Sequence, residues 1–569
     1  MRQFLLLILF IGCSHKVKIV APDPSSPRDA HEAMAKKTMV TSQGRATTQA
    51  ALTTFSNGGN IIDAFVAASF AISVERPHST GIGGGGFLLY FSKADKKVYA
   101  FDFREMAPLL ASEKMYLTKD GNTQPLMSQE GGLAVANPGL VKGLYEIHRR
   151  FGKLPWSQTM APAIELARGG FPLYGQLHDA LENRKGVLTL DPEARKTFYT
   201  IEGNTPSLGT MIYQENLART LEIISEKGAD GFYRGKVADA IVKTIQKKRG
   251  LLSHRDLKTY TMIERTPVTS SYKGLKIYSM PPPSSGGIHV IQILKMLEPH
   301  DLKGKGPQSV ESVHLTANAM QRAFVDRASY LGDPDFHPVP SKGLIDDAYL
   351  KELSQSINSP KAMEADRIKK IDLPYESSDT THFTIADEEG NLVSSTQTIN
   401  GWFGSGVMAA GTGIVLNNEM DDFAQKLGAQ NLFGAVGGRF NLVSPRKRPL
   451  SSMSPTIITK DDRPFMALGS PSGTRIITCV AQTILNAVEF EMPLYEAVAA
   501  TRIHQQWQPD ELKIEAPFLD SKVEKKLGER GHKIVHGKLG CSIQAIKKAT
   551  EGWHGVSDPR GEGLALGTN

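Results

Sequence analysis

The sequence predicts an α+β fold in which sheets are covered by helices. Three observations lead there. Helical and extended patterns coexist along the chain in a non-alternating order. The alanine-rich run at 60–71 is apolar and long enough for a buried helix, and a glycine run and the apolar strand Phe87-Leu88-Leu89-Tyr90-Phe91 follow it. Beyond Thr380 the pattern turns to strands, and no internal repeat is evident.

The body of the chain begins near Ala33. The run Gly81-Ile82-Gly83-Gly84-Gly85-Gly86 has the form G-x-G-x-x-G, but it precedes a strand instead of following one and opening a helix. That argues against a dinucleotide site. Amphipathic stretches between about 140 and 250, including 216–223 and 236–247, predict helices. The loop Pro281-Pro282-Pro283-Ser284-Ser285-Gly286-Gly287 separates a strand-like Leu275-Lys276-Ile277-Tyr278 from a helix-like 290–296. A charged helical region over 345–370 leads to the polar segment before Thr380. There His382-Phe383-Thr384-Ile385-Ala386 and Leu392-Val393-Ser394-Ser395-Thr396 flank the turn 387–391 and predict a hairpin. The apolar stretches 465–469 and 476–480 and a helix-like 495–502 come later.

The chain opens with Met1-Arg2-Gln3 and the apolar run 4–12, too short to span a bilayer and suited to an export signal. The run stops at Gly12-Cys13-Ser14, which resembles a bacterial lipobox with Cys13 as the lipidated residue; the alternative is a plain cleaved signal with an incidental cysteine. The lipobox reading divides the chain into a signal peptide at 1–13, a basic, Pro- and Ser-containing tether at 14–30 and a body expected in the periplasm, held to a membrane only through the lipid. With 569 residues, 40% hydrophobic and 22% charged, a large soluble body is expected. The net charge of +7 comes without a basic block interleaved with aromatics, so no nucleic-acid partner is expected. Cys479 and Cys541 are the remaining cysteines; one disulfide is arithmetically open to them, but nothing in their spacing supports it, and two buried thiols are expected.

The segment Ser377-Ser378-Asp379-Thr380-Thr381-His382-Phe383 carries the chemistry. Thr380 is either a plain strand residue or a nucleophile that must first become an N-terminus. A threonine hydroxyl needs a base, and a cut between Asp379 and Thr380 supplies one from the residue's own α-amine, whose pKa is roughly 7.7–8.0. Thr398 and Asn400 share a face at the end of the next strand, within reach of the nucleophile or its substrate. Asn417-Asn418-Glu419-Met420-Asp421-Asp422-Phe423 holds acids without His or Cys, a poor zinc site, and lacks EF-hand spacing. Either it is a solvated acidic turn or its carboxylates meet a substrate ammonium. Leu450-Ser451-Ser452-Met453-Ser454-Pro455 offers paired hydroxyls suited to a carboxylate, and 469–475 is a turn whose N–H groups suit an oxyanion hole; both also read as simple loops. No G-x-S-x-G elbow is present.

Together these segments resemble the γ-glutamyltranspeptidases over nearly the whole chain. The resemblance rests on the glycine run, Asp102-Phe103-Arg104-Glu105, Ala136-Asn137-Pro138-Gly139, Pro281 to Gly287 and Leu331-Gly332-Asp333-Pro334-Asp335-Phe336. It continues through Thr380-Thr381-His382-Phe383, the acidic and Ser-Ser motifs above, and His504-Gln505-Gln506-Trp507. The resemblance implies an αββα sandwich of the N-terminal-nucleophile type and self-cleavage into a large subunit, 31–379, and a small one, 380–569, that stay together as a heterodimer. It implies Thr380 as self-processing residue and nucleophile, supported by Thr398, with the oxyanion at Ser472 and Gly473. It implies that Arg104, Ser451 and Ser452 clamp the γ-glutamyl α-carboxylate, and that Asn400, Glu419 and Asp422 hold its ammonium. Two departures stand out: Ser472 replaces a glycine where φ > 0 is costly, and Phe433 replaces a common tyrosine at the centre of a lid, 424–438. The implied reaction is acyl transfer from glutathione or another γ-glutamyl compound to water or to an amino acid or dipeptide amine, with no cofactor or metal. The alternatives are a poly-γ-glutamate or glutaryl-β-lactam acylase of the same family, or an unprocessed envelope-binding lipoprotein without turnover.

Overall fold

The computed structural model describes residues 27–363 and 380–569. Two seven-stranded sheets form its centre. The first runs Leu564–Thr568, Thr38–Ser42, Thr381–Ala386, Leu392–Thr398, Gly85–Ser92, Lys97–Asp102 and Ile263–Arg265, every pairing antiparallel. The second runs Glu32–Ala35, Trp553–Ser557, Gln544–Lys548, Arg463–Gly469, Thr456–Lys460, Leu275–Ser279 and Val268–Tyr272, also antiparallel throughout.

Alternation along one strand shows how the layers stack. In Gly85–Ser92, Leu88 and Tyr90 belong to the core shared with helices Arg45–Ser56 and Ile61–Glu75. Phe87, Leu89 and Phe91 belong to the other core, shared with Ile457, Ala467 and helices Gly286–Leu297, Val310–Tyr330 and Arg475–Ile484. Side chains of a strand alternate faces, so this sheet is covered on both sides, by helices on one and by the second sheet on the other. The result is the αββα sandwich expected from the sequence. Helix Ile61–Glu75 is buried along its whole length, and its start is fixed by a capping box in which Asn60 and Asp63 satisfy each other's backbone N–H groups.

Strands from either side of Thr380 interleave in both sheets: Thr381–Ala386 pairs with Thr38–Ser42 on one edge and Leu392–Thr398 on the other. Segments placed in one ladder this way remain joined by hydrogen bonds and packing whether or not the chain is continuous between them.

Three expectations are corrected. Among the described residues, the charged helix expected over 345–370 is Asp347–Ile357, which stops because Asn358 and the residue before Pro360 disfavour helical backbone; 364–370 lie outside the described residues. The apolar stretch 476–480 is the buried interior of helix Arg475–Ile484, since short apolar runs do not distinguish a strand from a buried helix. Cys479 and Cys541, expected as two thiols, form a disulfide that ties this helix to the segment before Gln544–Lys548. Sixty-two positions separate them in sequence, so only the tertiary fold brings them together.

Candidate functional site

A cleft at the strand ends is lined by Arg104, Thr380, Thr398, Asn400, Glu419, Asp422, Phe433, Ser451, Ser452 and Gly473, so the fold gathers residues spread over most of the chain. Arg327, Asn431, Met453, Thr474 and Ile476 complete the lining. Asp379 and Cys13 lie outside the described residues.

Thr380 sits at the head of strand Thr381–Ala386, with φ 96°, a conformation that β-branched residues rarely adopt. Its Oγ1 lies 3.2 Å from Thr398 Oγ1, which also accepts the Asn400 N–H at 2.8 Å. Thr398 is held by its strand, which pairs with Gly85–Ser92. The glycine run allows close approach here: a Cβ on Gly84 would fall 2.1 Å from the Thr398 carbonyl oxygen. Asn400, at φ 70°, donates from Nδ2 to the Asn418 carbonyl at 3.0 Å, leaving Oδ1 as its acceptor. His382 is no base for this threonine. Burial pushes its imidazole down to about 3, and its ring nitrogens meet Thr396 Oγ1 at 2.8 Å and Thr384 Oγ1 at 3.2 Å. No histidine, lysine or cysteine lines the cleft among the described residues.

The charged end is a buried cluster. Arg104 donates from Nη1 to Glu419 Oε1 and from Nη2 to Asp422 Oδ2, and from Nε to the Pro449 carbonyl at 3.3 Å. Burial opposes its charge, but Glu419, Asp422 and Glu105 outweigh that and hold the guanidinium above its ordinary range. Glu105 Oε2 is 3.8 Å from Arg104 Nη1, and its carboxyl shares a hydrogen bond with that of Glu419. Burial pushes Glu105 up to about 7 and Glu419 well above the glutamate range, with Arg104 pulling both down, so the two carboxyls retain a proton near neutrality. The Asn-Asn pair explains how the acids are aimed. Asn417 bonds the Gly83 and Ala136 carbonyls and accepts the Glu419 N–H at 3.0 Å, while Asn418 Oδ1 accepts the Gly401 N–H at 2.8 Å.

The Ser-Ser motif is braced by the loop before helix Gly286–Leu297: Ser285 N–H and Oγ–H both donate to the Ser451 carbonyl at 2.8 Å. Ser472 has φ 103°, so the cost expected for a non-glycine is present. Its side chain is anchored in compensation, Oγ donating to the Leu539 carbonyl at 2.5 Å and accepting from Arg475 Nη1 at 3.4 Å. The Ser472 and Gly473 N–H groups have no acceptor among the described residues, and they precede the N-terminus of helix Arg475–Ile484, where partial positive charge collects. Phe433 covers this turn: a Cβ on Gly473 would fall 2.4 Å from its Cδ1. In place of a tyrosine hydroxyl, the lid is tied by Asn431 Nδ2 donating to Asp422 Oδ1 at 2.9 Å and by Leu432 N–H donating to Asp421 Oδ2 at 2.8 Å.

Several contributors escaped sequence reasoning. Gln506 in the His504–Trp507 stretch donates to the Phe433 carbonyl at 3.2 Å and accepts from Thr474 Oγ1 at 2.6 Å, linking lid to oxyanion turn. Arg327 was signalled only as a charge on the buried helix face that also carries Met320, Ala323 and Phe324.

A four-layer sandwich with a strained threonine at a strand head, a hydroxyl partner and no histidine, lysine or cysteine in the cleft among the described residues defines an N-terminal-nucleophile hydrolase. The comparisons agree. A family model described as Gamma-glutamyltranspeptidase matches residues 47–568. The glutathione hydrolase proenzyme of Escherichia coli (strain K12) is 42% identical over 532 residues, covering 93% of this chain and 91% of that one. Among solved structures, Helicobacter pylori γ-glutamyltranspeptidase is 38% identical, with a TM-score of 0.55 over 56% of this chain and 91% of its own. The cephalosporin acylase from Bacillus halodurans is 27% identical, with a TM-score of 0.82 over 96% of this chain and 98% of its own. This chain belongs to the γ-glutamyltranspeptidase family.

Proposed function

We propose that this chain is a self-processing γ-glutamyltransferase and glutathione hydrolase. The observation that carries the reading is the cleft itself: a threonine nucleophile without histidine, lysine or cysteine beside it among the described residues, in a cleft that also holds paired serine hydroxyls and an arginine bonded to two carboxylates. Thr380 Oγ attacks the Asp379 carbonyl, the resulting ester is hydrolysed, and the freed α-amine becomes the base. The large subunit, 31–379, and the small subunit, 380–569, then stay together through their shared sheets. In turnover Thr380 attacks the γ-amide carbonyl, the Ser472 and Gly473 N–H groups take the oxyanion, and cysteinylglycine leaves from glutathione. Water, or an amino acid or dipeptide amine, collects the acyl group. Arg104, Ser451 and Ser452 receive the α-carboxylate, while Asn400, Glu419 and Asp422 receive the ammonium. A zwitterion laid between Arg104 and its two carboxylates supplies each with an opposite charge, so the burial of both ends is compensated. Export and attachment through a lipid on Cys13 complete the proposal.

The acylase relatives support a second reading. Acylase ACY 1 proenzyme of Pseudomonas sp. (strain SE83) is 37% identical over 498 residues. A glutaryl donor brings no ammonium to Glu419 and Asp422, so the γ-glutamyl donor is favoured here. The test is timed mass spectrometry of purified precursor. Fragments meeting at Asp379 and Thr380 should appear without added protease. Thr380→Ala should stay whole and inactive, and Thr380→Ser should cut and turn over more slowly. An intact wild-type chain that is active, or one cut elsewhere, sinks the mechanism.

A further inference from the structure

Arg327 is 6% exposed on helix Val310–Tyr330, lines the cleft, and has no carboxylate partner among the described residues. Its Nε donates to Ser285 Oγ at 3.1 Å and its Nη2 to Ser452 Oγ at 3.2 Å. Burial lowers its guanidinium to about 10, with Asp422 pulling it up and Arg104 pushing it down. A buried cation bonded only to neutral hydroxyls is costly unless an anion reaches it.

The directions of the hydrogen bonds say which anion and where. Arginine only donates, so each hydroxyl it meets spends a lone pair on it and turns its own proton elsewhere. Ser285 sends its proton to the Ser451 carbonyl. Ser451 Oγ accepts the Met453 N–H at 3.1 Å. Ser451 and Ser452 are therefore both left with a proton to give, beside the donor-only Arg104. Such a set of donors matches the two oxygens of a carboxylate and finds no acceptor in an ammonium or a neutral methylene.

We propose that Arg327 is a positioning residue for the donor's α-carboxylate: it fixes the Ser452 hydroxyl as a proton donor into the cleft and so selects donors that carry that carboxylate. The inference rests on the γ-glutamyl reading above. Its test compares two p-nitroanilides on the cleaved protein, one γ-glutamyl and one 4-aminobutanoyl, the same chain without the carboxylate. The measured quantity is the ratio of their kcat/KM values.

Arg327→Gln should lower that ratio by roughly tenfold or more, mostly through KM for the γ-glutamyl donor. Arg327→Lys keeps the charge but reaches one hydroxyl at a time, and should lower it less; this variant decides the matter if Arg327→Gln does not accumulate. Ser452→Ala should also lower the ratio, and adding Arg327→Gln to it should change the ratio by less than about twofold, because the object of the arginine is gone. A ratio that stays at the wild-type value in both arginine variants, or independent losses in the double variant, overturns the assignment. Wild-type protein that is cut at Thr380 yet shows no preference for the γ-glutamyl donor removes the functional reading instead, and this inference falls with it.

Discussion

Glu105→Gln should stabilise the protein above neutral pH and leave it nearly unchanged in acid. Glu105 is fully buried, shares a hydrogen bond with Glu419, and shares Arg104 with Glu419 and Asp422. Its carboxyl sits at about 7 in the folded protein against 4.5 ordinarily, burial being the main cause. A carboxyl raised in this way binds its proton more tightly folded than unfolded, so stability falls as pH rises from about 4.5 to about 7 and is level above. Most of that loss lies between pH 5 and pH 8 and amounts to about 2 kcal/mol on the order-of-magnitude scale of 1.36 kcal/mol per unit. The amide of glutamine is as polar as the protonated acid it replaces, so its burial cost nearly cancels at pH 5. Thermal midpoints of wild type and Glu105→Gln at the two pH values measure this directly. The variant should gain several degrees relative to wild type at pH 8 and little at pH 5. Equal differences at both pH values, or a variant weaker than wild type at pH 8, would show that the buried cluster does not hold a proton.

Arg104→Lys removes a fork that meets Glu419 and Asp422 together; lysine reaches one of them. Lysine also cannot present two parallel donors to the donor's α-carboxylate; loss of one charge-assisted bond to it, about 2 kcal/mol, should raise donor KM roughly 30-fold with self-cleavage intact, and a near-wild-type KM would refute the carboxylate role. Cys541→Ala opens a loop of 62 positions, for which chain entropy gives about 4 kcal/mol. The thermal midpoint should drop, and wild-type intact mass should rise by about 2 Da only after reduction under denaturing conditions; an unchanged midpoint would show that the bond does not stabilise the fold. Cys13→Ser should move the protein out of the membrane fraction, and unaltered sedimentation with membranes would exclude the lipid anchor.

Much of the site was legible because its chemistry resides in residue identity and order. Thr380 after a polar approach, Arg104 before Glu105, the Asn417–Asp422 acids and the Ser-Ser pair are each recognisable alone, and the cleft gathers them. The hairpin after Thr380 and the helix at Ile61–Glu75 followed from local periodicity, which a chain carries within a dozen residues. What local pattern does not encode is which distant groups meet. Arg104 and Glu419 are separated by 315 positions, and nothing near either says that they pair or that Glu105 joins them. The same holds for Arg327 turning the Ser452 hydroxyl, for Gln506 joining lid to oxyanion turn, and for Cys479 bonding Cys541. It also holds for the run at 476–480, whose apolar residues suit a sheet and a buried helix equally until neighbours decide. The sequence by itself determined which functional groups this protein owns. Only the tertiary structure decided their partners, their protonation and the strain at Thr380, because burial and charge pairing depend on distance in space and not along the chain.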